Sequence, residues 1–245
     1  MISSKNIFKT VFLLLSVIFS LTAHASLIIN NTRVIYNEQD GESVIKLENN
    51  NKKDNPILVQ VWIDNGDPDS NPSTISVPFT ITPAIFRIDG QKSQSIRILR
   101  ISDNLPSDRE SVFWINFLDV PQKSDNGDQN LMQLSIRNRL KFFYRPKNLP
   151  TSVSDAYKLV KFSLTQNASS YKIIIDNPTP YHITIANLDV KSIDGKITHA
   201  SMNSKNDFMV SPFGKKELVL KKKIPSSNEV RIHYSFVNDF GSESK

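Results

Sequence analysis

The chain contains no cysteine among its 245 residues. This absence excludes disulfides, thiol nucleophiles and zinc–thiolate sites, so the fold must depend on hydrophobic cores and hydrogen-bonded sheets. Glycine is scarce, with 7 residues, and no glycine-rich phosphate loop, Gly-x-Ser-x-Gly or His-Glu-x-x-His motif occurs. The sequence therefore predicts a protein that is not an enzyme and that holds no metal or cofactor.

Histidine is also rare, with 4 residues in the whole chain. His182, His199 and His233 are scattered and lack the paired spacing that is typical of metal ligands. His182 and His233 occupy polar positions of predicted strands, so we expect them to face solvent.

Long hydrophobic runs are confined to the N-terminus. Lys5 and Lys9 precede a short apolar core at residues 11–21, and small residues frame a cleavage position after Ala25. We expect residues 1–25 to be a cleaved secretory signal peptide, with an uncleaved membrane anchor as the alternative. No later run is long enough to cross a bilayer, so we expect no stable membrane insertion of the mature chain.

Neither sign of charge is in large excess. The formal net charge is +6, and it falls to +4 when the two lysines of the signal peptide are removed. A mildly basic chain that is exported does not require a nucleic-acid partner, and we predict none.

Most segments of the chain alternate apolar and polar residues with a period of two, which is typical of half-buried strands. Clusters of Pro, Asn, Asp and Ser separate these segments at spacings typical of β-sandwiches. No amphipathic helix longer than about two turns is recognisable. The sequence therefore predicts an all-β protein with about seven strands per domain; the clearest strand segments are "ILVQVWID", "SIRILRI", "VFWINFL", "YKIIIDN", "YHITIANLDV", "KELVL" and "VRIHYSFV".

One segment, "YRPKNLPTSVSD", interrupts the alternation and predicts a domain boundary. Pro146 and Pro150 lack the backbone donor that a central strand needs. We therefore predict an N-terminal domain at 26–147, a linker at 148–151 and a C-terminal domain at 152–245.

The longest alternating segment is "MQLSIRNRLKFFYRP", at residues 132–146. Its apolar face contains Met132, Leu134, Ile136, Leu140, Phe142 and Tyr144, interrupted by Asn138. About fifteen residues at about 3.3 Å each form a strand of about 50 Å, whereas a domain of about 100 residues is about 30–35 Å across. Part of this apolar face should therefore extend beyond its own domain.

The opposite face of this strand carries the basic residues Arg137, Arg139, Lys141 and Arg145. Charges along an edge strand oppose aggregation, and we expect that role for Arg137 and Arg139. Lys141 differs, because bulky apolar residues flank it in "LKFFYRP" and a desolvated cation is costly without an anion. For Lys141 an edge charge and an anion-binding role both stay open.

Seven segments together carry a family resemblance: "NNTRVIY", "PILVQVWID", "ITPAIFRIDG", "LPSDRESVFWINFLDVP", "RLKFFYRP", "NPTPYHITI" and "FVNDFG". In this order and at these separations they resemble the periplasmic chaperones of chaperone–usher pilus assembly, over nearly the whole mature chain. The resemblance implies two immunoglobulin-like β-sandwich domains in a boomerang arrangement with an interdomain cleft.

The resemblance also implies a function. Members of this family bind fimbrial subunits whose own sandwich lacks its last strand, lend a long edge strand to complete it, and deliver the subunit to an outer-membrane usher. Met132, Leu134 and Ile136 match the side chains that fill the subunit groove. Such strand addition satisfies unpaired main-chain groups while alternate side chains become buried.

Two further sets of residues match family positions. Arg33 and Lys141 match a pair of cleft cations that anchors the C-terminal carboxylate of the subunit. Glu110, Arg145 and Asp239 match a buried charge cluster between the domains. We expect this cluster to set the interdomain angle more than the stability, because desolvation offsets most of the Coulomb energy.

The main alternative is a secreted immunoglobulin-like adhesin or a structural fimbrial subunit. Subunits usually have a single sandwich with a missing strand and a disulfide, whereas this chain has no cysteine and two predicted sandwiches. A periplasmic hydrolase is a third hypothesis, but no nucleophile–base pair supports it. Whether the free protein forms a self-capping dimer through its exposed strand stays open.

Overall fold

The computed structural model describes residues 26–121, 134–166, 171–194, 196–203, 208–220 and 230–244, and most of them lie in strands. The expected all-β class is confirmed. In the N-terminal half the strands are β1 (Leu27–Ile29), β2 (Arg33–Asn37), β3 (Glu42–Asn49), β4 (Ile57–Asp64), β5 (Phe79–Thr82), β6 (Ile85–Ile88), β7 (Ser93–Arg100), β8 (Ser111–Pro121) and β9 (Ile136–Arg145). A short 3₁₀ helix (Glu38–Asp40) joins β2 to β3.

These strands form two sheets that enclose one core. One sheet has the order β1-β3-β7-β5, and the other has the order β2-β9-β8-β4-β6. Because side chains alternate between the faces of a strand, every second residue points into the space between the sheets. Buried members of this core include Ile45, Leu47, Ile96, Ile98, Ile115, Phe117 and Phe142.

The C-terminal half forms a second sandwich. Its strands are β10 (Lys161–Gln166), β11 (Tyr171–Asp176), β12 (Ile183–Ser192), β13 (Thr198–Asn203), β14 (Met209–Val210), β15 (Lys215–Leu220), β16 (Val230–Val237) and β17 (Glu243–Ser244). One sheet has the order β10-β11-β15 and the other β13-β12-β16-β17, with β14 paired to β12. Helix α1 (Val153–Leu159) precedes them, and the Ser152 side chain caps it by accepting a hydrogen bond from the Asp155 amide.

Strand β9 has different neighbours along its two halves. Residues 141–144 lie between β8 and β2. The pairing of β2 with β9 is parallel and runs from Arg33 opposite Lys141 to Asn37 opposite Arg145. Residues 136–140 pair with β8, and among the described residues no second strand pairs with them. We call residues 136–140 the open edge. The sequence predicts a strand over 132–146, whereas β9 covers Ile136–Arg145. Residues 132 and 133 of the predicted strand lie outside the described residues.

Each sandwich has its own set of buried apolar residues, as expected for two domains. The bounds 26–147, 148–151 and 152–245 stay predictions. So does the signal peptide at 1–25, which lies outside the described residues. Within the described ranges, no helix has the length and apolar character needed to cross a membrane, and no group of three or more acidic, histidine or cysteine residues is arranged to hold a metal.

Candidate functional site

Arg33 of β2 and Lys141 of β9, the basic pair, lie on the outer face of the larger N-terminal sheet. They are opposite each other in the parallel ladder, so their side chains project to the same side. Both residues are half-buried. The Arg33 Nη1 donates a hydrogen bond to the Val237 carbonyl at 3.2 Å, which connects the pair to the C-terminal domain. The Arg33 guanidinium also lies 5.7 Å from the centroid of the Phe143 ring.

A cavity of about 360 Å³ opens beside the basic pair. Its lining consists of Thr32, Arg33, Trp114, Arg139, Leu140 and Lys141. The charged members of this lining are all cationic, so the cavity favours a negatively charged group. A carboxylate suits such a site, because arginine and lysine donate charge-assisted hydrogen bonds to its two oxygens.

Arg139 is bound to a buried carboxylate of β4. Its Nε and Nη2 donate to Asp64 at 3.0 and 2.6 Å, and Asp64 has no solvent exposure. Asn116 donates a further hydrogen bond to Asp64 at 2.7 Å. Burial acts to raise the pKa of Asp64, but the hydrogen bonds from Arg139 and Asn116 outweigh it and hold this pKa below its ordinary value. The charge of Arg139 is therefore balanced within the protein.

Arg137 also has partners on this face. Its Nε donates to the Asn116 side chain at 2.9 Å and its Nη1 donates to the Pro68 carbonyl at 2.7 Å. The guanidinium lies 5.2 Å from the centroid of the Trp62 ring. Arg137 and Arg139 therefore bind acceptors within their own domain, and their expected role as edge charges stays a prediction. Their acceptors are distant in sequence, and alternation along one strand does not identify them.

Glu110, Arg145 and Asp239, the interdomain cluster, are brought together where the domains meet. The Arg145 Nε donates to Glu110 at 2.8 Å, and its two Nη atoms donate to Asp239 at 2.7 and 3.0 Å. The side chains of Arg145 and Glu110 are only 15% and 2% exposed. Burial acts to lower the pKa of Arg145, but hydrogen bonds and attraction from Asp239 and Glu110 outweigh it and raise this pKa.

Glu110 makes two more contacts with the C-terminal domain. Its backbone N–H donates to the Pro180 carbonyl at 2.8 Å, and its Oε2 accepts from the backbone N–H of His182 at 2.8 Å. The His182 side chain is 6% exposed, and its ring lies 5.6 Å from that of Phe143. The expectation that His182 faces solvent is therefore wrong. Sequence alternation predicts a polar, exposed position for His182, but residues of the N-terminal domain cover it.

Exposed apolar side chains lie at the start of the open edge and just before it. Leu134 is 65% exposed and Ile136 is 53% exposed, and Met132 lies outside the described residues. Further along the same face, Leu140 packs against the core and Phe142 is buried. The apolar face of β9 therefore changes from exposed to buried along the strand.

The chain matches two domain families. Residues 26–150 match the family described as "Pili and flagellar-assembly chaperone, PapD N-terminal domain". Residues 155–245 match "Pili assembly chaperone PapD, C-terminal domain". The two matches together cover most of the chain.

Individual relatives are similar over nearly their full length. The chain is 37% identical over 227 residues to the probable fimbrial chaperone YadV of Escherichia coli strain K12, covering 91% of this chain and 89% of the relative. It is 37% identical over 251 residues to the chaperone protein HifB of Haemophilus influenzae, covering 98% of this chain and 97% of the relative.

Solved structures are similar as well. The crystal structure of the YadV chaperone has a TM-score of 0.71 at 33% identity and covers 89% of this chain and 96% of that one. The Salmonella enterica SafB chaperone, solved in complex with the SafA pilin, has a TM-score of 0.69 at 27% identity and covers 92% and 96%. These are assembly chaperones and not enzymes. The chain belongs to the family of pilus-assembly chaperones.

Proposed function

We propose that the chain is a periplasmic chaperone that binds a fimbrial subunit by strand addition and delivers it to an outer-membrane usher. Until delivery, the chaperone keeps the subunit folded and unpolymerised. The observation that carries this proposal is the open edge, which leads along β9 directly to Lys141 of the basic pair. The edge that can pair with an added strand and the cationic site are therefore consecutive along β9.

The open edge has the properties of a strand donor. Alternate N–H and C=O groups of an edge strand point outward and can pair with an incoming strand. Leu134 and Ile136 are 65% and 53% exposed, and burying each side chain in a groove contributes about 1.5–3 kcal/mol before the ordering cost of association. Met132 continues the same alternation by one step and is the third proposed groove residue.

The basic pair is proposed to bind the C-terminal carboxylate of the subunit. An apolar ladder alone fixes its register weakly, because a slip by two residues keeps the same face buried. Arg33 and Lys141 lie where β2 begins to cover β9, so an incoming strand can pair with β9 only up to this point. The carboxylate site and the end of the open edge coincide, and together they define a single register.

The interdomain cluster is proposed to hold the angle between the domains. Arg145 of the N-terminal domain bonds to Asp239 of the C-terminal domain, and Glu110 bonds to both Arg145 and His182. Desolvation offsets most of the Coulomb energy of such a buried group, so its main effect is on geometry. Because Arg33 also bonds to the C-terminal domain, the interdomain angle positions one member of the basic pair.

Export and release complete the proposed cycle. Residues 1–25 direct the chain to the periplasm and are removed after Ala25. The relative SafB was solved with a pilin, which supports a fimbrial subunit as the partner of this chain. Folding of the subunit, with no nucleotide hydrolysis, drives its transfer to the usher.

The free protein has a further proposed state. A second copy of the chain would occupy the open edge when no subunit is present, giving a self-capping dimer. Sedimentation of the purified protein, with and without Ile136→Asp, tests this state: the dimer should form for the wild-type protein alone. A wild-type monomer at micromolar concentration would contradict it.

Co-purification from the periplasm tests the proposed function. The proteins are the tagged wild type, Lys141→Ala, and the matched control Lys161→Ala, which changes an exposed lysine of β10 in the other domain. We expect the wild type and the control to retain a fimbrial subunit, identified by mass spectrometry, and Lys141→Ala to retain at least tenfold less. Equal retention by all three would remove Lys141 from the site, and no subunit on the wild type would contradict the chaperone function.

A further inference from the structure

Asp119 is a buried carboxylate at one end of the N-terminal sandwich. It follows Ile115 and Phe117 along the core-facing row of β8, and it is 4% exposed. Its Oδ2 accepts a hydrogen bond from the Ser26 hydroxyl. Its Oδ1 is buried and has no hydrogen-bond partner in the described part of the chain. An ionised carboxylate in such a position is costly unless a cation lies next to it.

The charged side chains of the neighbouring strands are engaged elsewhere. Lys46 and Glu48 of β3 pair with each other at 2.7 Å. Arg87 of β6 pairs with Asp89 at 2.8 Å. Arg137 of β9 bonds to acceptors on the outer face of the sheet, away from the core row. The described side chains therefore offer no cation for this carboxylate.

The backbone holds Ser26 beside Asp119. The Ser26 carbonyl accepts a hydrogen bond from the Asn50 N–H at 2.9 Å, and the next residue, Leu27, begins β1 opposite Asn49. Standard bond lengths put the α-nitrogen of a serine about 3–4 Å from its own Oγ. A positive charge on the Ser26 nitrogen would therefore lie next to the buried carboxylate.

We propose that Asp119 is the binding site for the α-ammonium group of the mature N-terminus. This inference rests on the proposed cleavage after Ala25. Hydrolysis of the Ala25–Ser26 bond consumes one water, leaves a carboxylate on Ala25 and converts the neutral amide nitrogen of Ser26 into an ammonium group. The precursor carries no charge at this nitrogen. Signal removal therefore supplies the missing partner of Asp119 and completes the N-terminal sandwich.

The pKa of the Ser26 amine is the direct test. Full-length precursor is exported, and the intact mass of the periplasmic product identifies its first residue. Acylation of that residue, quantified by mass spectrometry from pH 6 to pH 10, then gives the pKa of the amine. A free α-amine titrates at about 7.7–8.0, and we expect a pKa at least about one unit higher in the folded protein. An ordinary pKa would overturn the ion pair.

Variants separate the ammonium group from the hydroxyl. Asp119→Asn should bring the pKa of the amine back to its ordinary range, whereas Ser26→Ala, which keeps the ammonium, should leave it raised. The matched control Asp89→Asn removes an exposed aspartate of the same domain and should behave as the wild type. A raised pKa that survives Asp119→Asn would overturn the assignment.

The stability of the folded protein should depend on pH through the titration of the Ser26 amine. The folded-state pKa of the amine is raised, so the stabilisation is complete below about pH 7.7 and is lost as the pH rises through the raised value. At pH 6.5 the folded-to-unfolded ratio of Asp119→Asn should be at least tenfold below that of the wild type, and the gap should close above about pH 9.5. A gap that is independent of pH would contradict the inference.

The outcomes distinguish this inference from the proposed function. A first residue other than Ser26 overturns the cleavage site and the ion pair together. Ser26 with an ordinary pKa overturns the ion pair alone. Co-purification of the subunit with Asp119→Asn should match the wild type, because the Asp119 side chain is only 4% exposed and the substitution keeps the backbone pairing of Asp119 with Ile136.

Discussion

At the scale of single residues, Asp64 organises the cationic face of β9. Besides Arg139 and Asn116, it accepts a hydrogen bond from the Gly66 amide at 2.8 Å. Without this carboxylate, the Arg139 guanidinium would add its charge to that of Lys141 two residues along the same face. Asp64 therefore balances the charge of Arg139 beside the cavity.

The change Asp64→Asn should destabilise the N-terminal domain, because it leaves the partly buried Arg139 without its anion. We expect a loss of about 3 kcal/mol at pH 7, measured by urea unfolding. The pKa of Asp64 is lowered in the folded state, so its stabilisation is present above about pH 4 and is lost as the pH falls through the lowered value. The difference between wild type and variant should therefore shrink below about pH 4. A constant difference from pH 7 to pH 2.5 would contradict this assignment.

Sequence reasoning reached some of these residues and missed others. Arg33 and Lys141 were found through the family resemblance, because their neighbours in "NNTRVIY" and "RLKFFYRP" are distinctive. Asp64 ends "ILVQVWID" and has no local signal of burial. His182 follows "NPTPY" as an ordinary polar strand residue. Their environments depend on contacts across strands and domains, and alternation within one strand carries no information about those contacts.

At the scale of elements, β9 combines an open half and a covered half. The open edge presents main-chain groups and the exposed side chain of Ile136, whereas residues 141–144 pair with a strand on each side. The covered half anchors the strand in the sheet. The open half can therefore act as a template at a small entropic cost, because it is ordered before the partner arrives.

The change Ile136→Asp should separate binding from stability. Ile136 is 53% exposed but lies opposite Asp119 in the ladder, so the variant should lose only about 1 kcal/mol of unfolding free energy, mostly by repulsion between the two carboxylates. In a subunit groove the aspartate would be buried without a partner, so affinity should fall at least tenfold. The matched control is Ile85→Asp, since Ile85 is 60% exposed on β6 at the opposite edge of the same sheet. Equal affinity of the two variants, measured by titration calorimetry, would argue against the open edge as the donor.

The strands were predictable from the sequence, but their neighbours were not. Period-two alternation marked segments such as "ILVQVWID" and "VRIHYSFV", which form β4 and β16. Alternation does not state which strand pairs with which, so the parallel pairing of β2 with β9 was not expected. That pairing limits the open edge to 136–140. The sequence does not predict helix α1, because seven residues are too few to show a clear helical period.

At the scale of the whole molecule, the interdomain cluster fixes how the sandwiches meet. The change Glu110→Ala should alter the interdomain angle, because it removes a partner of Arg145 and of the His182 N–H. We expect a changed X-ray scattering profile and a loss of about 1–3 kcal/mol in unfolding free energy, since the His182 N–H loses its acceptor while Arg145 keeps Asp239. The control Glu217→Ala removes an exposed partner of Lys172 and should leave the profile unchanged. An unchanged profile for Glu110→Ala would count against the proposed role.

A second contact between the domains depends on a glycine. Gly241 has φ +80°, and a Cβ there would lie 1.7 Å from the Thr32 Oγ1. Gly241→Ala should therefore separate the domains in addition to straining the backbone. The control is Gly41→Ala, where φ is +71° but a Cβ would meet nothing within 4 Å.

Both glycine variants should lose about 1–3 kcal/mol from the left-handed backbone, and Gly241→Ala alone should change the scattering profile. The same profile for both variants would show that Thr32 accommodates the methyl group.

The division into two sandwiches was predictable, and their mutual orientation was not. Pro146 and Pro150 interrupt the alternation of apolar and polar residues, because proline does not fit a central strand. The orientation depends on the Arg145 fork reaching Asp239 across 94 positions of sequence. No local property of either residue indicates such a contact, and only the family resemblance pointed to it.

In the proposed complex the open edge becomes an interior strand, paired with β8 on one side and with the subunit on the other. This pairing is tested by main-chain hydrogen exchange, compared for the free chaperone and its complex with the co-purified subunit. We predict that the outward-pointing amides among residues 134–140 exchange at least tenfold more slowly in the complex, while those of β10, an edge strand of the C-terminal sandwich, keep their rates. Unchanged exchange at 134–140, with protection at β10 or β6 instead, would show that β9 is not the donor strand.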